Sequence, residues 1–166
     1  MILLEQAYNK KDYDIFFRLY PNSYTKFVEY YGYIGDKPMP LYSIAFEHLK
    51  YLMSGKIRKF KLIDKLFNIA KDGKWDADAS SYLQDYMVDL IVEYPEIILS
   101  LLNENSTKEI ENFWYFILYY PSLHPEYDLQ YQNKYKQIYN CIQNRDKQMG
   151  GIIKKTYEKI VAESNE

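Results

Sequence analysis

Ser106-Thr-Lys-Glu109, followed at once by the run Phe113–Tyr120 (FWYFILYY), restricts this chain more than any other stretch. The S-x-x-E spacing is that of a capping box, in which hydroxyl and carboxylate satisfy each other's backbone N–H groups, so a helix is expected to begin at Thr107. Pro121 closes it. Eight consecutive apolar or aromatic residues leave that helix apolar all round, and such a helix is either buried centrally or spans a membrane. A span needs about 20 residues, so the segment reads as the middle of a core. A short aromatic run also suits a strand; the capping box decides for helix.

Punctuation by Pro, Gly and capping residues divides the rest into helical segments. Helices are expected at 2–10, at 13–20 with Asp12 as cap and Pro21 after it, and at 24–32 opened by Asn22 or Ser23. GYIGDKPMP (32–40) is the clearest loop. Helices follow at 41–54 and 57–72. In the latter, Ile57, Phe60, Ile63, Leu66, Phe67 and Ala70 form an amphipathic stripe. Asp76 or Asp78 caps 79–94, Pro95 opens 96–103, and 127–163 reads as helical with a break at Gly150-Gly151. Sustained alternation and hairpin signals are scarce.

The expected fold is therefore one all-α domain over 1–166. It consists of stacked antiparallel helical hairpins or of an irregular helix bundle. The stretch 57–120 resembles HEAT-type helical pairs in pattern, without a family signature. The layered form is favoured by 79–94, where Leu83, Met87, Leu90, Ile91 and Tyr94 make one apolar face while Val88 and Val92 lie well round from it. A helix between neighbours on two sides needs that.

Chemistry is thinly represented. Two histidines and one cysteine exclude most catalytic constellations, and no HExxH, Gly-rich phosphate loop or GxSxG occurs. His48, beside Glu47, reads as a surface or half-buried histidine. His124, in the turn PSLHPEY, reads as turn architecture, with Glu126 as its only nearby acid–base partner. No cofactor, metal site or small-molecule ligand is indicated, and the chain is expected to be non-enzymatic. The N-terminal MILLEQAYNKKDY lacks the basic start of a signal peptide and no stretch is long enough to span a membrane, so a cytoplasmic location is expected. The 20 tyrosines accompany abundant Lys, Ile and Asn, all with AT-rich codons, which points to a low-GC bacterial or phage genome rather than to a binding surface.

Charge is more informative, because the net of −2 conceals blocks. Residues 76–111 hold nine carboxylates against Lys108, while 56–65 carry a net of +4 and 134–159 a net of +5. On helix 79–94, Asp78, Tyr82, Asp85, Asp89 and Glu93 fall within an arc of about 80° at 100° per residue. Like charges four apart cost a helix a few tenths of a kcal/mol per pair, which solvent, neighbouring lysines, a bound metal or a basic partner would offset. Trp75, in the preceding loop, is suited to anchor a partner.

The expected function is a non-enzymatic protein-interaction module whose acidic face (Trp75, Asp78, Tyr82, Asp85, Asp89, Glu93) meets a basic protein. An immunity protein that neutralises a bacterial toxin is one such case. The alternative is a nucleic-acid-associated regulator using Lys134, Lys136, Arg145, Lys147, Lys154, Lys155 and Lys159 with Tyr131, Tyr135 and Tyr139 interleaved. Only three arginines in the chain argue against that alternative.

Overall fold

The fold was obtained as a computed structural model, which describes residues 1–55, 57–76, 78–121 and 128–165. It is all-α. Among the described residues ten helices run in order: α1 (Ile2–Asn9), α2 (Tyr13–Leu19), α3 (Tyr24–Tyr31), α4 (Ala45–Ser54), α5 (Lys59–Ala70), α6 (Asp78–Glu93), α7 (Pro95–Asn103), α8 (Thr107–Leu118), α9 (Leu129–Gln143) and α10 (Lys147–Ser164). A two-residue hairpin, β1 (Tyr33–Ile34) with β2 (Lys37–Pro38), and a 3-10 turn at Tyr42–Ile44 fill the loop before α4.

The caps explain most of the boundaries. Asp12, Ser23, Asp128 and Asp146 each accept a backbone N–H from the first turn of the helix that follows, satisfying donors that would otherwise be orphaned. Ser106 and Glu109 form the complete reciprocal capping box at the start of α8. Helix α1 ends differently. Lys11 takes a left-handed φ of 56°, its N–H reaches Tyr8 O, and the N–H of Asp12 reaches Ala7 O. That is the Schellman termination usually given to glycine.

Packing is mostly between helices near one another in chain order, with α6 against α4, α5, α7, α8 and α9. Helix α8 is buried as expected, with Phe113, Trp114, Phe116, Ile117 and Leu118 all 0–2% exposed. Its far end is closed from α6. The buried Gln84 amide donates to Phe116 O and, at 2.8 Å, to Tyr119 O, two carbonyls beyond the reach of the helix's own ladder.

Three details differ from the sequence reading. Helix α10 is continuous through Gly150 and Gly151, and the break falls at residues 144–146. Gly150 is where α9 comes close, since a Cβ there would lie 2.7 Å from Gln143 Cβ. Phe60 stands 53% exposed off the α5 stripe. His48 is fully buried, not superficial: its Nδ1 lies 2.9 Å from Tyr31 Oη, and the rings of Tyr8 and Phe16 pack against it.

Two predictions follow from this packing. A Cβ at Gly151 meets nothing within 4 Å, so Gly151→Ala should raise stability in urea melts by about 0.5–1 kcal/mol, the helix-propensity difference. Gly150→Ala should lower it. The second concerns acid. Burial, with Lys11's charge as a smaller cause, lowers the His48 pKa from 6.5 to about 4. Between those values the unfolded chain binds a proton that the folded chain refuses. Stability should fall as pH drops through this window, by up to about 1.4 kcal/mol per pH unit. His48→Phe should flatten that slope by close to one proton, and an unchanged slope would contradict the assignment.

Candidate functional site

Helix α6 is closed over one half of its circumference and open over the other. Ala79, Leu83, Gln84, Met87, Val88, Leu90 and Ile91 are buried, and at 100° per residue they span about 180°. Asp78, Asp85, Asp89 and Glu93 are exposed on the opposite side, with Tyr82 half-buried among them. The arc read from the sequence is thus the open arc of the folded helix.

Not every carboxylate on it is available. Asp85 receives Lys134 Nζ at 2.5 Å and the Tyr120 hydroxyl at 3.2 Å, and Lys134 also lies over the Tyr120 ring. Burial, then the Asp85 charge, pushes the Tyr120 phenol well above its usual range, so the hydroxyl remains a donor. Asp85 therefore fastens α9 to α6. The Glu96–Arg145 pair at 2.9 Å does the same between α7 and the end of α9, holding the Glu96 carboxyl below its ordinary value. Glu109 faces Lys71 at 3.7 Å. Among the described residues, three of the nine acidic side chains are thus paired with a cation of this chain.

Along α6, Asp78 and Tyr82 meet aromatic groups from the loop before α4 and from α4 itself. The Tyr42 hydroxyl donates to Asp78 at 2.8 Å, and that bond holds the Tyr42 phenol far above its ordinary pKa. One turn on, the Phe46 ring meets Tyr82 edge-on at 5.2 Å. A further turn along, Tyr86 lies near Asp89 and Glu47, whose charges add to burial in raising its phenol. These contacts advance in step, four residues per rung along α6. Glu93 accepts from the Tyr94 hydroxyl at 2.7 Å. Trp75 is 38% exposed and donates its indole N–H to Ser81 Oγ at 3.1 Å.

Beside Trp75 lies an open concavity of about 460 Å³, lined by Tyr33, Gly35, Asp36, Tyr42, Trp75, Asp76 and Asp78. The hairpin builds one wall. Gly35, at φ +60°, supplies the left-handed turn residue that sets Asp36 at the tip. Gly32 leaves room for the Asp76 carboxylate, which accepts the Tyr33 N–H at 2.8 Å. Asp76 thus ties the hairpin to the start of α6. The lining holds three carboxylates and no cation. Two larger concavities carry both signs: one of about 670 Å³ between α8 and α10, with Glu111, Lys155, Lys159 and Glu163, and one of about 640 Å³ with Lys11, Asp12, Asp14 and Arg58.

Tyr33, Asp36, Tyr42, Phe46 and Tyr86 had no place in the sequence reading of the site, because the fold brings them to α6 from other elements or another face. His124 and Glu126 lie outside the described residues. Among the described residues no three His, Cys, Asp or Glu are grouped to share a metal ion, and no helix is long and apolar enough to cross a membrane. In the C-terminal helices, Tyr131 is buried and Tyr135 stacks on Tyr157 at 3.9 Å. Lys134 and Arg145 are held by Asp85 and Glu96. No protein-family model, curated protein or solved structure matches the chain.

The internal role of Asp85 is measurable. A double-mutant cycle of Asp85→Ala with Lys134→Ala should give a coupling of about 0.5–1 kcal/mol at low salt, shrinking in molar salt. Zero coupling at low salt would leave Asp85 as a carboxylate with no bracing role toward α9.

Proposed function

We propose that this chain is a helical protein-interaction module that docks a basic protein on the open face of α6. Trp75, Asp78, Tyr82, Asp89 and Glu93 form the contact, with Asp85 on the same open side but engaged by Lys134 of α9. The observation that carries the reading is the combination of exposed aromatic surface with charge of one sign. Trp75 and Phe46 are 38% and 43% exposed, and the neighbouring ionised side chains on α6 are all carboxylates. Aromatic groups supply contact area at small entropic cost, while the charges steer a basic partner and raise its association rate. Neutralisation of a bacterial toxin with a basic nucleic-acid-binding surface is the form we put forward, since carboxylates presented in this way compete for the cations that hold phosphate. Burial of Tyr131 and the pairing of Lys134 and Arg145 weigh against a nucleic-acid role for α9.

The test is capture of a partner from native-host lysate at low salt, followed by calorimetry on the purified pair. Asp89→Lys with Glu93→Lys should weaken binding by about tenfold or more, and a rise in salt should weaken the unmodified pair in the same direction. Charge reversal at Asp85 is avoided because it would break the bridge to α9. Binding that is indifferent to both salt and the double substitution would remove the proposal.

A further inference from the structure

We infer that the concavity beside Trp75 receives a guanidinium group, and that its occupant is an arginine side chain of the basic partner. The identity of the occupant rests on the docking function proposed above; the chemistry of the pocket stands on its own geometry.

The walls come from three separate elements: Tyr33 from the hairpin, Tyr42 from the 3-10 turn, and Trp75 from the loop before α6. The Tyr33 and Tyr42 rings are 4.8 Å apart at 81°. They pack edge to face and brace each other at the rim of the hollow. The indole is held by its polar edge on Ser81 and remains 38% exposed. Aromatic faces carry the negative part of the ring quadrupole and attract cations.

The charges agree with the rings. Asp36, Asp76 and Asp78 line the same hollow with no basic side chain among them. Asp76 and Asp78 are positioned in advance by the Tyr33 N–H and the Tyr42 hydroxyl, both at 2.8 Å, so little ordering remains to be done on binding. A guanidinium suits this site better than an ammonium. It is planar, stacks on aromatic faces, is more weakly hydrated, and presents several donors in a fixed fork to carboxylates. The volume of about 460 Å³ is ample for one such side chain.

The experiment is a titration of the ¹⁵N-labelled protein with a blocked glycine–arginine–glycine tripeptide at low salt. Saturable shifts are expected at the Trp75 indole N–H and at the Gly35 and Asp36 amides. The citrulline tripeptide, equal in shape but uncharged, should bind at least about tenfold more weakly, and the lysine tripeptide should fall between them. Asp36→Asn, at the exposed hairpin tip, should weaken arginine binding severalfold while the rest of the spectrum stays in place. Trp75→Ala should abolish saturation.

Equal affinity for arginine and citrulline, shifts that saturate elsewhere on the molecule, or no saturation at tens of millimolar (about a hundredfold excess) would overturn the inference. The two proposals fail separately. Partner binding that responds to Asp89→Lys and Glu93→Lys without any arginine-peptide binding would keep the docking face and remove the pocket. Arginine-peptide binding in a protein whose partner ignores those substitutions would keep the guanidinium site and remove the docking face.

Discussion

The middle of this molecule is arranged around the enclosure of α6 by five other helices. A helix so surrounded must be apolar over the enclosed arc, and its one buried amide must find partners or cost stability. The Gln84 NH2 finds them at Phe116 O and Tyr119 O, while its Oε1 has no partner among the described residues. Its bonds do more than satisfy a polar group. They close the C-terminal end of α8, whose N-terminal end is closed by the Ser106–Glu109 box, so an almost wholly apolar helix is buried with its termini accounted for. The same enclosure leaves α6 a single open arc, and its four carboxylates lie there.

Those carboxylates divide into two kinds by what they touch. Asp85 is spent on Lys134 and Tyr120, and with Glu96–Arg145 it fastens the basic α9 segment to the acidic middle of the chain. Exposed pairs of this sort contribute little each, so they orient α9 more than they stabilise it. Asp78, Asp89 and Glu93 meet tyrosines and solvent instead. A hydroxyl donor can hold a carboxylate in place without cancelling its charge. The outward face therefore keeps its negative potential, and the aromatic groups beside it are fixed.

Much of this was legible in the sequence because it is local. The capping box, the N-cap at Asp12 and the 100° spacing of Asp78, Tyr82, Asp85, Asp89 and Glu93 are properties of neighbouring residues; of the two candidates Asn22 and Ser23 the structure uses Ser23, and α6 begins at Asp78 itself. What was not legible is long-range. The approach of Tyr33, Tyr42 and Phe46 to α6 depends on how the hairpin and α4 pack, and no periodicity announces it. The internal use of Asp85 likewise depends on a residue 49 positions away. The break expected at Gly150-Gly151 moved to residues 144–146 because helix packing overrode propensity: Gly150 is a place of close approach to Gln143, and a glycine inside a packed helix costs only about 1 kcal/mol. His48 misled for a similar reason, since Glu47 beside it in sequence points to another side of α4, while Tyr31 supplies its partner from α3.

Helix α6 presents a preorganised carboxylate face to solvent while its other side is sealed. The most direct measurement is the relaxation of backbone amide protons by small nitroxides that differ only in charge. A cationic nitroxide should relax the amides of residues 33–42, 75–76, 78–82 and 89–93 more strongly than an anionic one, with the difference fading in high salt. Equal relaxation by the two probes over those residues, or a preference for the anionic one, would contradict it.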